Sequence, residues 1–253
     1  MKNMTTNVTT VLNMLTTHSH FIDTLLQHND QKDEVKLSLV QLLHKLVVSC
    51  DKSCLNARDF GYLLPAYHGT LSEIDQCLLQ IMIFYESNGM SMVAHKPFLF
   101  GNTALESYHA QRNASETLYK KPTPNRILAC INSEIMIKSM EEFPIRRRMI
   151  LHDSGPTPNF KTPTSDVYDP CFLVPALREL LLPENLVDCR AFLQQGALGY
   201  LYVCLSSHCA HLRNMAASCI ARYYQHADAQ RFSEKNLTLY VIDRVRNAVR
   251  YKD

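Results

Sequence analysis

A basic segment between Lys120 and Ile150 contains the residue types that bind phosphate groups. It has seven basic and three acidic residues, and its three successive arginines follow Phe143-Pro144-Ile145. Guanidinium groups match phosphate oxygens in a bidentate geometry, and such contacts hold a nucleic-acid backbone without reading bases. The segment predicts a backbone-directed RNA contact; the alternative is a solvated face with one arginine paired to Glu141 or Glu142. The predicted RNA-binding residues are Lys120, Lys121, Arg126, Arg146, Arg147 and Arg148.

Two groups of cysteine and histidine have spacings that could begin a metal site. Structural zinc sites need two well-spaced ligand pairs, commonly including C-x2-C, and neither group provides that pattern. Ser206-Ser207 is expected to interrupt the helix that would hold the second group on one face. We therefore expect no metal site. The two groups are Cys50-x3-Cys54 and the cluster of Cys204, His208, Cys209 and His211.

Catalytic and nucleotide-binding motifs are missing from the sequence. It contains no G-x-S-x-G, no H-E-x-x-H, no G-x-G-x-x-G and no P-loop. His152-Asp153-Ser154 are only sequence neighbours, and catalytic triads are assembled across a fold. The sequence favours a protein that is not an enzyme and uses no cofactor or small-molecule substrate. A small zinc or hydrolytic enzyme built on residues 204–211 remains the alternative.

The composition is that of a globular protein with few tight turns. The chain has 253 residues, 46% apolar and 20% charged, with a formal net charge of +2. Only 7 glycines occur, which disfavours a many-stranded barrel or sandwich. Nine cysteines scattered among apolar residues indicate free thiols in a reducing compartment. We expect no membrane partner, because no apolar run approaches the length of a membrane span, and no signal peptide, because the N-terminus has no continuous apolar stretch.

Apolar residues recur at three- and four-residue spacing almost throughout, which predicts an all-α fold. One helix is expected over 8–26 and another over 35–47. A third is expected to begin after Ser72, whose side chain can cap it, and to end at Asn88-Gly89. Further helices are predicted over 102–109, 133–142, 171–182, 185–194, 197–206, 209–226 and 233–251.

Four segments follow from this pattern. Residues 1–60 form an N-terminal helical pair that continues a longer array, and 61–150 form a helical segment with the basic stretch. Residues 151–170 form a Pro-rich loop, and 171–253 form C-terminal helical repeats. The predicted architecture is an α-solenoid of HEAT or armadillo type, an incomplete fragment of a longer array. A helical bundle is the alternative.

Several blocks of residues resemble the C-terminal region of the Urb/Npa family of nucleolar pre-ribosomal-associated proteins. The resemblance covers about residues 60–253 and is distributed along them. Phe100-Gly101 stands where the resemblance leads us to expect Trp-Gly. The matching blocks are Leu63-Leu64-x2-Tyr67-x-Gly69-Thr70-Leu71-Ser72-x2-Asp75, Phe143-Pro144-x2-Arg147, Tyr168-Asp169-Pro170-Cys171-Phe172-Leu173-Val174-Pro175, Leu181-Leu182-Pro183-Glu184, Val187-Asp188-Cys189-Arg190, Gly196-Ala197-Leu198-Gly199-Tyr200, Leu205-Ser206-Ser207 and Leu212-Arg213-x2-Ala216.

The resemblance implies a nucleolar scaffold built of helical repeats and without catalytic residues. Its implied role is early assembly of the large (60S) ribosomal subunit, in a complex bound to precursor rRNA. The implied partners are pre-ribosomal RNA, through its backbone, and nucleolar assembly-factor proteins. A generic α-solenoid adaptor that binds only proteins is the alternative function.

Overall fold

The computed structural model describes residues 7–26, 33–50, 52, 55–93, 100–113, 122–149 and 167–248. Within these ranges the chain forms thirteen α-helices and no β-strand, which confirms the all-α class. The HEAT or armadillo type stays a prediction, as do the boundaries of the four segments. Lys120, Lys121, Cys54 and residues 151–166 of the predicted Pro-rich loop lie outside the described ranges.

The helices divide into two compact units, with the boundary between residues 122 and 123. In the first unit α3 packs against α1 and α5, and α4 packs against α2 and α6. A short 3-10 helix over Ala57–Asp59 precedes α4. The helices of this unit are α1 (Val8–Thr16), α2 (Phe21–Leu26), α3 (Asp33–Ser49), α4 (Phe60–Ala66), α5 (Glu73–Ser87) and α6 (Gly101–Asn113).

The single helix predicted over 8–26 is wrong, because the chain breaks between α1 and α2. The hydroxyl groups of Thr16 and Thr17 donate hydrogen bonds to the Leu12 and Asn13 carbonyls, at 3.1 Å and 2.6 Å. These side chains satisfy carbonyls at the end of α1 and compete with continuation of the helix. Hydrogen bonds from these threonine side chains therefore favour the end of α1, although the apolar spacing continues through the break.

The core of the first unit is aromatic and aliphatic. The rings of Phe60 and Tyr85 lie 5.4 Å apart, and the Tyr85 hydroxyl donates to Asp59 at 2.6 Å. Phe100 is buried, so it fills an apolar position where the resemblance suggests a tryptophan.

Helix α4 is not predicted from the sequence, because it contains Pro65, which lacks the N–H that a helix interior uses.

A capped turn begins α5 as the sequence predicts. The Ser72 side chain accepts a hydrogen bond from the Asp75 backbone N–H at 3.2 Å. The buried Asp75 carboxylate accepts from the backbone N–H and hydroxyl of Thr70, both at 2.7 Å, and from the His68 N–H at 3.2 Å. Gly69 adopts a positive φ of 74°, which lets the chain turn between these donors.

In the second unit α12 is the central helix and packs against α9, α10, α11 and α13. Its buried face includes Leu212, Ala216 and Tyr223. Helix α7 contacts α10, and α8 contacts α11. The helices of this unit are α7 (Pro124–Leu128), α8 (Ser133–Glu141), α9 (Pro170–Leu180), α10 (Cys189–Gln194), α11 (Ala197–Cys204), α12 (Ala210–Asp228) and α13 (Lys235–Ala248).

Close packing of α8 against α11 depends on small residues. A Cβ atom at Gly199 would lie 3.1 Å from the Met140 sulfur, and one at Gly196 would lie 3.1 Å from Met136 Cγ. Gly196 also has a positive φ of 75° at the N-terminus of α11. Gly196 and Gly199 therefore have a structural role, which is to let α8 and α11 pack closely.

The helix predicted over 185–194 begins later, at Cys189. The Asn185 amide turns back and donates to the Glu179 and Leu180 carbonyls at the end of α9, at 2.7 Å and 3.2 Å. The Asp188 side chain then caps α10 by accepting from the Ala191 N–H at 3.0 Å. Asn185 therefore hydrogen-bonds to the end of α9, and the next helix begins only at Cys189.

None of the helices formed by the described residues combines the length and apolar character needed to cross a membrane.

Candidate nucleic-acid interface

A short loop after α8 contains the three successive arginines. Helix α8 ends at Glu141, close to the predicted end, since Phe143 precedes a proline and such residues avoid helical backbone. The loop then turns sharply, with the Arg147 N–H donating to the Pro144 carbonyl at 2.9 Å. Arg146 and Arg148 are exposed and Arg147 is buried. Residues 143–149 are called the arginine loop below.

The prediction that Arg147 contacts RNA is not supported by its position. Its Nε and Nη2 atoms donate to the two carboxylate oxygens of Asp169, at 3.1 Å and 2.5 Å. The two side chains are 6% and 0% exposed, so a phosphate group cannot reach this guanidinium. Asp169 also caps α9 by accepting from the Cys171 N–H at 2.9 Å. Arg147 therefore fastens the arginine loop to the start of α9.

Two further contacts hold the arginine loop against α11 and the turn that follows it. The Phe143 and Tyr200 rings meet edge to face, with their centres 6.0 Å apart. The His208 N–H donates to the Ile145 carbonyl at 2.9 Å. The loop is therefore attached both before and after Arg146, so its exposed arginines lie on a fixed backbone.

Tyr168 fastens α8 to the same start of α9. Its backbone N–H donates to the Ser139 hydroxyl at 2.8 Å, and its own hydroxyl accepts from the Asn132 N–H at 2.9 Å. The residues of Tyr168-Asp169-Pro170 thus contact both ends of α8 and the arginine loop. Arg147 and Asp169, which are 22 residues apart in the chain and belong to two of the resembling blocks, are thereby in direct contact.

The remaining predicted contact residues are distributed over separate elements. The structure brings the exposed side chains of Arg146 and Arg148 onto one loop. Arg126 is also exposed, but it lies on α7, which packs against α10. The structure does not describe Lys120 or Lys121.

The structure adds neighbours of the arginine loop that spacing could not reveal. The His208 N–H is bonded to the Ile145 carbonyl, more than 60 residues earlier in the chain, and the exposed side chains of His208 and His211 lie just before and within the first turn of α12. No local pattern links these positions, because only the packing of the loop against the start of α12 makes them neighbours. Imidazoles at this place can supply further hydrogen-bond donors to a phosphate.

The members of the second cysteine and histidine group do not come together as a set of ligands, and Cys54 of the first group lies outside the described residues. Across the described ranges, no three His, Cys, Asp or Glu side chains are grouped so that they could hold a metal ion. Cys204 is fully buried at the end of α11, whereas His208 and His211 are exposed beyond the Ser206-Ser207 turn. The predicted helix interruption therefore separates the candidate ligands.

Cys209 lies at the start of α12 beside the arginine loop, and its surroundings lower the pKa of its thiol. Burial by itself raises its pKa, but backbone N–H groups of Leu212, Met149 and His211 and the Arg148 cation lower it by more. The pKa of Cys209 therefore lies below the ordinary value of 9.0. A lowered pKa increases the fraction of nucleophilic thiolate at a given pH.

We expect iodoacetamide to alkylate Cys209 with a midpoint below pH 9.0, ahead of two other cysteines of the same unit. Burial raises the pKa of Cys204 and Cys219, so their thiolates form only at higher pH and stay enclosed. Timed labelling of the folded chain over a pH series, read by peptide mass spectrometry, measures the three rates. Equal rates at the three cysteines would contradict this expectation.

Comparison with known proteins gives matches that share one protein name. The family model described as nucleolar pre-ribosomal-associated protein 1 matches residues 198–253. The human protein of that name is 35% identical over 247 residues, which is 95% of this chain and 11% of the relative. The mouse protein is 35% identical over 246 residues, 94% of this chain and again 11% of the relative. The matches confirm the resemblance to a region of that protein, and the chain spans about a ninth of the length of these relatives. No solved structure matches the chain.

Proposed function

Since this chain is similar over most of its length to a region of nucleolar pre-ribosomal-associated protein 1, we propose that it is a non-catalytic scaffold of early 60S subunit assembly. The observation that carries the proposal is the 35% identity extending over 95% of the chain. The name of these relatives joins them to the nucleolus and to pre-ribosomes. It supports the nucleolus as the location of this chain and names no enzymatic activity.

The proposed partners are pre-ribosomal RNA and assembly-factor proteins. Arg146 and Arg148 are proposed to contact RNA phosphates, because both are exposed on a loop whose backbone is held by Arg147 and His208. Arg126, Lys120 and Lys121 remain proposed contacts on the same basic segment. A fixed loop loses little conformational entropy on binding, which favours its use as a contact.

Crosslinking of RNA to the chain in cells, followed by sequencing of that RNA, tests the proposed function. We expect enrichment of large-subunit precursor rRNA and a nucleolar location. Nucleolar location without RNA crosslinks would favour the protein-only adaptor, and absence of both would overturn the proposal.

Charge reversal tests the arginine loop itself. Arg146→Glu combined with Arg148→Glu is expected to weaken binding of a precursor rRNA fragment about tenfold or more, and to lower its salt slope by about 1.4 for single-stranded RNA. Filter binding over a salt series measures both quantities. The matched control is Arg178→Glu with Arg231→Glu, which changes the net charge equally at two other exposed arginines of the same unit.

Two outcomes of this experiment decide the role of the loop. Equal losses in the two pairs would assign binding to net charge instead of to the arginine loop. Bound RNA should also slow the alkylation of Cys209, because Arg148 lies close enough to influence that thiol. An unchanged alkylation rate with RNA bound would exclude the loop as the contact.

The adaptor that binds proteins without RNA is a second candidate function. The observation that favours it is an exposed apolar surface on α13, formed by Leu237, Tyr240 and Val241. Recovery of a protein partner that survives ribonuclease treatment would be its marker.

A further inference from the structure

Thr123 begins a four-residue pattern by which one class of protein kinase recognises its target. The pattern is Thr123-Pro124-Asn125-Arg126. Proline-directed kinases accept a proline directly after the target hydroxyl, because proline has no N–H that would need an acceptor in the kinase cleft. One group of these kinases also requires a basic side chain three residues after the target, which pairs with negative charge on the kinase. The sequence has two other Thr-Pro pairs, and neither is followed by a basic residue at that distance.

The structure presents the parts of this pattern that a kinase recognises. The side chains of Thr123 and Arg126 are exposed, whereas the preceding Pro122 is buried. The Thr123 hydroxyl oxygen accepts a long hydrogen bond, at 3.4 Å, from the Arg126 N–H. Its backbone is extended, with φ of −71° and ψ of 152°. The target hydroxyl and the basic side chain are therefore both accessible, and both recognition residues follow Thr123.

The start of α7 accounts for only part of the pattern. Threonine is a favoured N-cap residue and proline a favoured first residue of a helix, which accounts for Thr123 and Pro124. A cap sets no requirement for a basic residue at position 126. Recognition by a kinase accounts for all three positions together.

Phosphoryl transfer to Thr123 requires the first turn of α7 to open, because kinase clefts hold the residues around the target as an extended chain. Helix α7 has five residues, and helices this short are marginal on their own. The N–H groups of Arg126 and Ile127 donate to the Thr123 carbonyl, at 3.0 Å and 3.2 Å. The Asp188 N–H also donates to the Asn125 side chain, at 2.8 Å. None of residues 124–126 is buried, so opening them exposes no core side chain and breaks few hydrogen bonds.

We propose that Thr123 is the phosphorylation site of a proline-directed kinase that requires a basic residue, and that its phosphate weakens the RNA contact of the basic segment. In the transfer, the Thr123 Oγ1 forms a bond to the γ-phosphorus of Mg²⁺-bound ATP. The bond from that phosphorus to its bridging oxygen breaks, ADP leaves, and the hydroxyl proton passes to an aspartate of the kinase. The second part of the inference rests on the proposed function.

The charge of the phosphate determines its effect on RNA. It adds about −1.5 to −2 charges at neutral pH, against an excess of four positive charges in residues 120–150. Arg126 lies three residues away and is one of the proposed RNA contacts. A phosphate on Thr123 therefore competes with RNA phosphates for the Arg126 guanidinium and repels the RNA backbone.

Treatment of the purified full chain with a cyclin-dependent kinase and MgATP tests the site. Phosphopeptide mass spectrometry over time measures the phosphate at each Thr-Pro pair. We expect phosphate at Thr123, and Arg126→Gln should lower its initial rate about tenfold, as loss of a close charge pair does. Thr157 and Thr162 lack the basic residue and are internal references, whose rates this variant should not change. Phe160→Arg gives Thr157 the same pattern and should raise its rate about tenfold.

Binding of a precursor rRNA fragment to the treated and untreated chains tests the effect of the phosphate. We expect phosphorylation to weaken binding about fivefold and to lower the salt slope by about 0.7, the loss of one phosphate contact to single-stranded RNA. The matched control is Thr123→Asn, because asparagine caps a helix but has no hydroxyl group to phosphorylate. After kinase treatment this variant should keep the affinity of the untreated chain. Circular dichroism of each variant verifies that the helices are retained.

Several results would overturn the inference. They are absence of phosphate at Thr123 in the treated chain or in the tagged chain from cells, a rate that Arg126→Gln does not alter, and a rate at Thr157 that Phe160→Arg does not raise. An equal loss of RNA affinity in treated Thr123→Asn, or equal RNA binding with and without phosphate at Thr123, contradicts the regulatory part. An untreated chain that binds no RNA contradicts the RNA contact of the proposed function and leaves the phosphorylation site standing.

Discussion

Replacing Arg147 with alanine is expected to lower the free energy of unfolding of its unit by about 3–5 kcal/mol. The reason is the position of Asp169, whose side chain is 0% exposed and receives two hydrogen bonds from the guanidinium. Removing the cation leaves a buried carboxylate without its compensating charge. This destabilisation is larger than the net stabilisation that the ion pair provides, because the remaining carboxylate stays buried and keeps its full desolvation cost.

Urea unfolding followed by circular dichroism measures this change, since the chain has no tryptophan to report by fluorescence. Hydrogen exchange of α9 peptides assigns the loss to the second unit. Arg147→Lys should recover only part of the stability, because an ammonium group cannot donate in the bidentate geometry of a guanidinium. Asp169→Asn should also destabilise, and its effect should not add to that of Arg147→Ala, because the two residues form one pair.

The neighbouring arginines provide matched controls. Arg146→Ala and Arg148→Ala are each expected to change the stability by no more than about 0.5 kcal/mol, as exposed substitutions usually do. Three adjacent residues of one type would then differ by several kcal/mol in effect. If the three alanine variants were equally stable, the buried position of Arg147 would be wrong.

Replacing Asp75 with alanine is expected to cost the first unit about 2–4 kcal/mol, because at least two buried donors lose their acceptor. The Asp75 carboxylate accepts both the N–H and the hydroxyl of Thr70, and also the His68 N–H. Thr70 is itself buried, so water cannot replace the lost acceptor without entering the turn. Gly69 adopts its positive φ between His68 and Thr70, whose backbone N–H groups donate to this carboxylate.

Urea unfolding also measures this effect, with hydrogen exchange of α5 peptides to assign it. Asp75→Asn should lose less, since the amide keeps one oxygen acceptor for the Thr70 donors. Glu73→Ala is the matched control, because it removes a carboxylate from the same first turn at an exposed position, where only an exposed hydrogen bond from the Gln41 amide is lost. We expect it to cost no more than about 0.5 kcal/mol. Equal losses at positions 73 and 75 would show that helix-dipole effects, and not the buried bonds, account for both.

The two variants explain what the resembling blocks do. Asp75 closes the turn that starts α5, and Arg147 joins the block at 143–147 to the block at 168–175. Neither residue faces solvent, so these two members of the resembling blocks hold the fold together. The exposed Arg146 and Arg148, which are the proposed RNA contacts, lie beside Arg147.

Local chemistry allowed several elements to be predicted from the sequence. Ser72 caps α5 and Asn88-Gly89 ends it as expected, because a cap needs only donors and acceptors within a few residues. The helical class followed from apolar spacing, which reflects the pitch of the helix itself. The predicted helix boundaries are wrong where polar side chains donate hydrogen bonds to nearby backbone carbonyls, as at Thr16 and Thr17.

The sequence by itself determined that the chain is helical, that its arginine-rich segment follows a helix end, and which family it resembles. Only the tertiary structure decided which arginine is available to a ligand. Arg146, Arg147 and Arg148 have the same side chain and the same flanking chemistry, and periodicity has no meaning in a loop. The three side chains differ in exposure because the middle guanidinium, that of Arg147, is paired with the buried Asp169 at the start of α9. Likewise, Ile242 and Val241 are adjacent apolar residues of α13, and packing against α12 determines that Ile242 is buried while Val241 remains exposed.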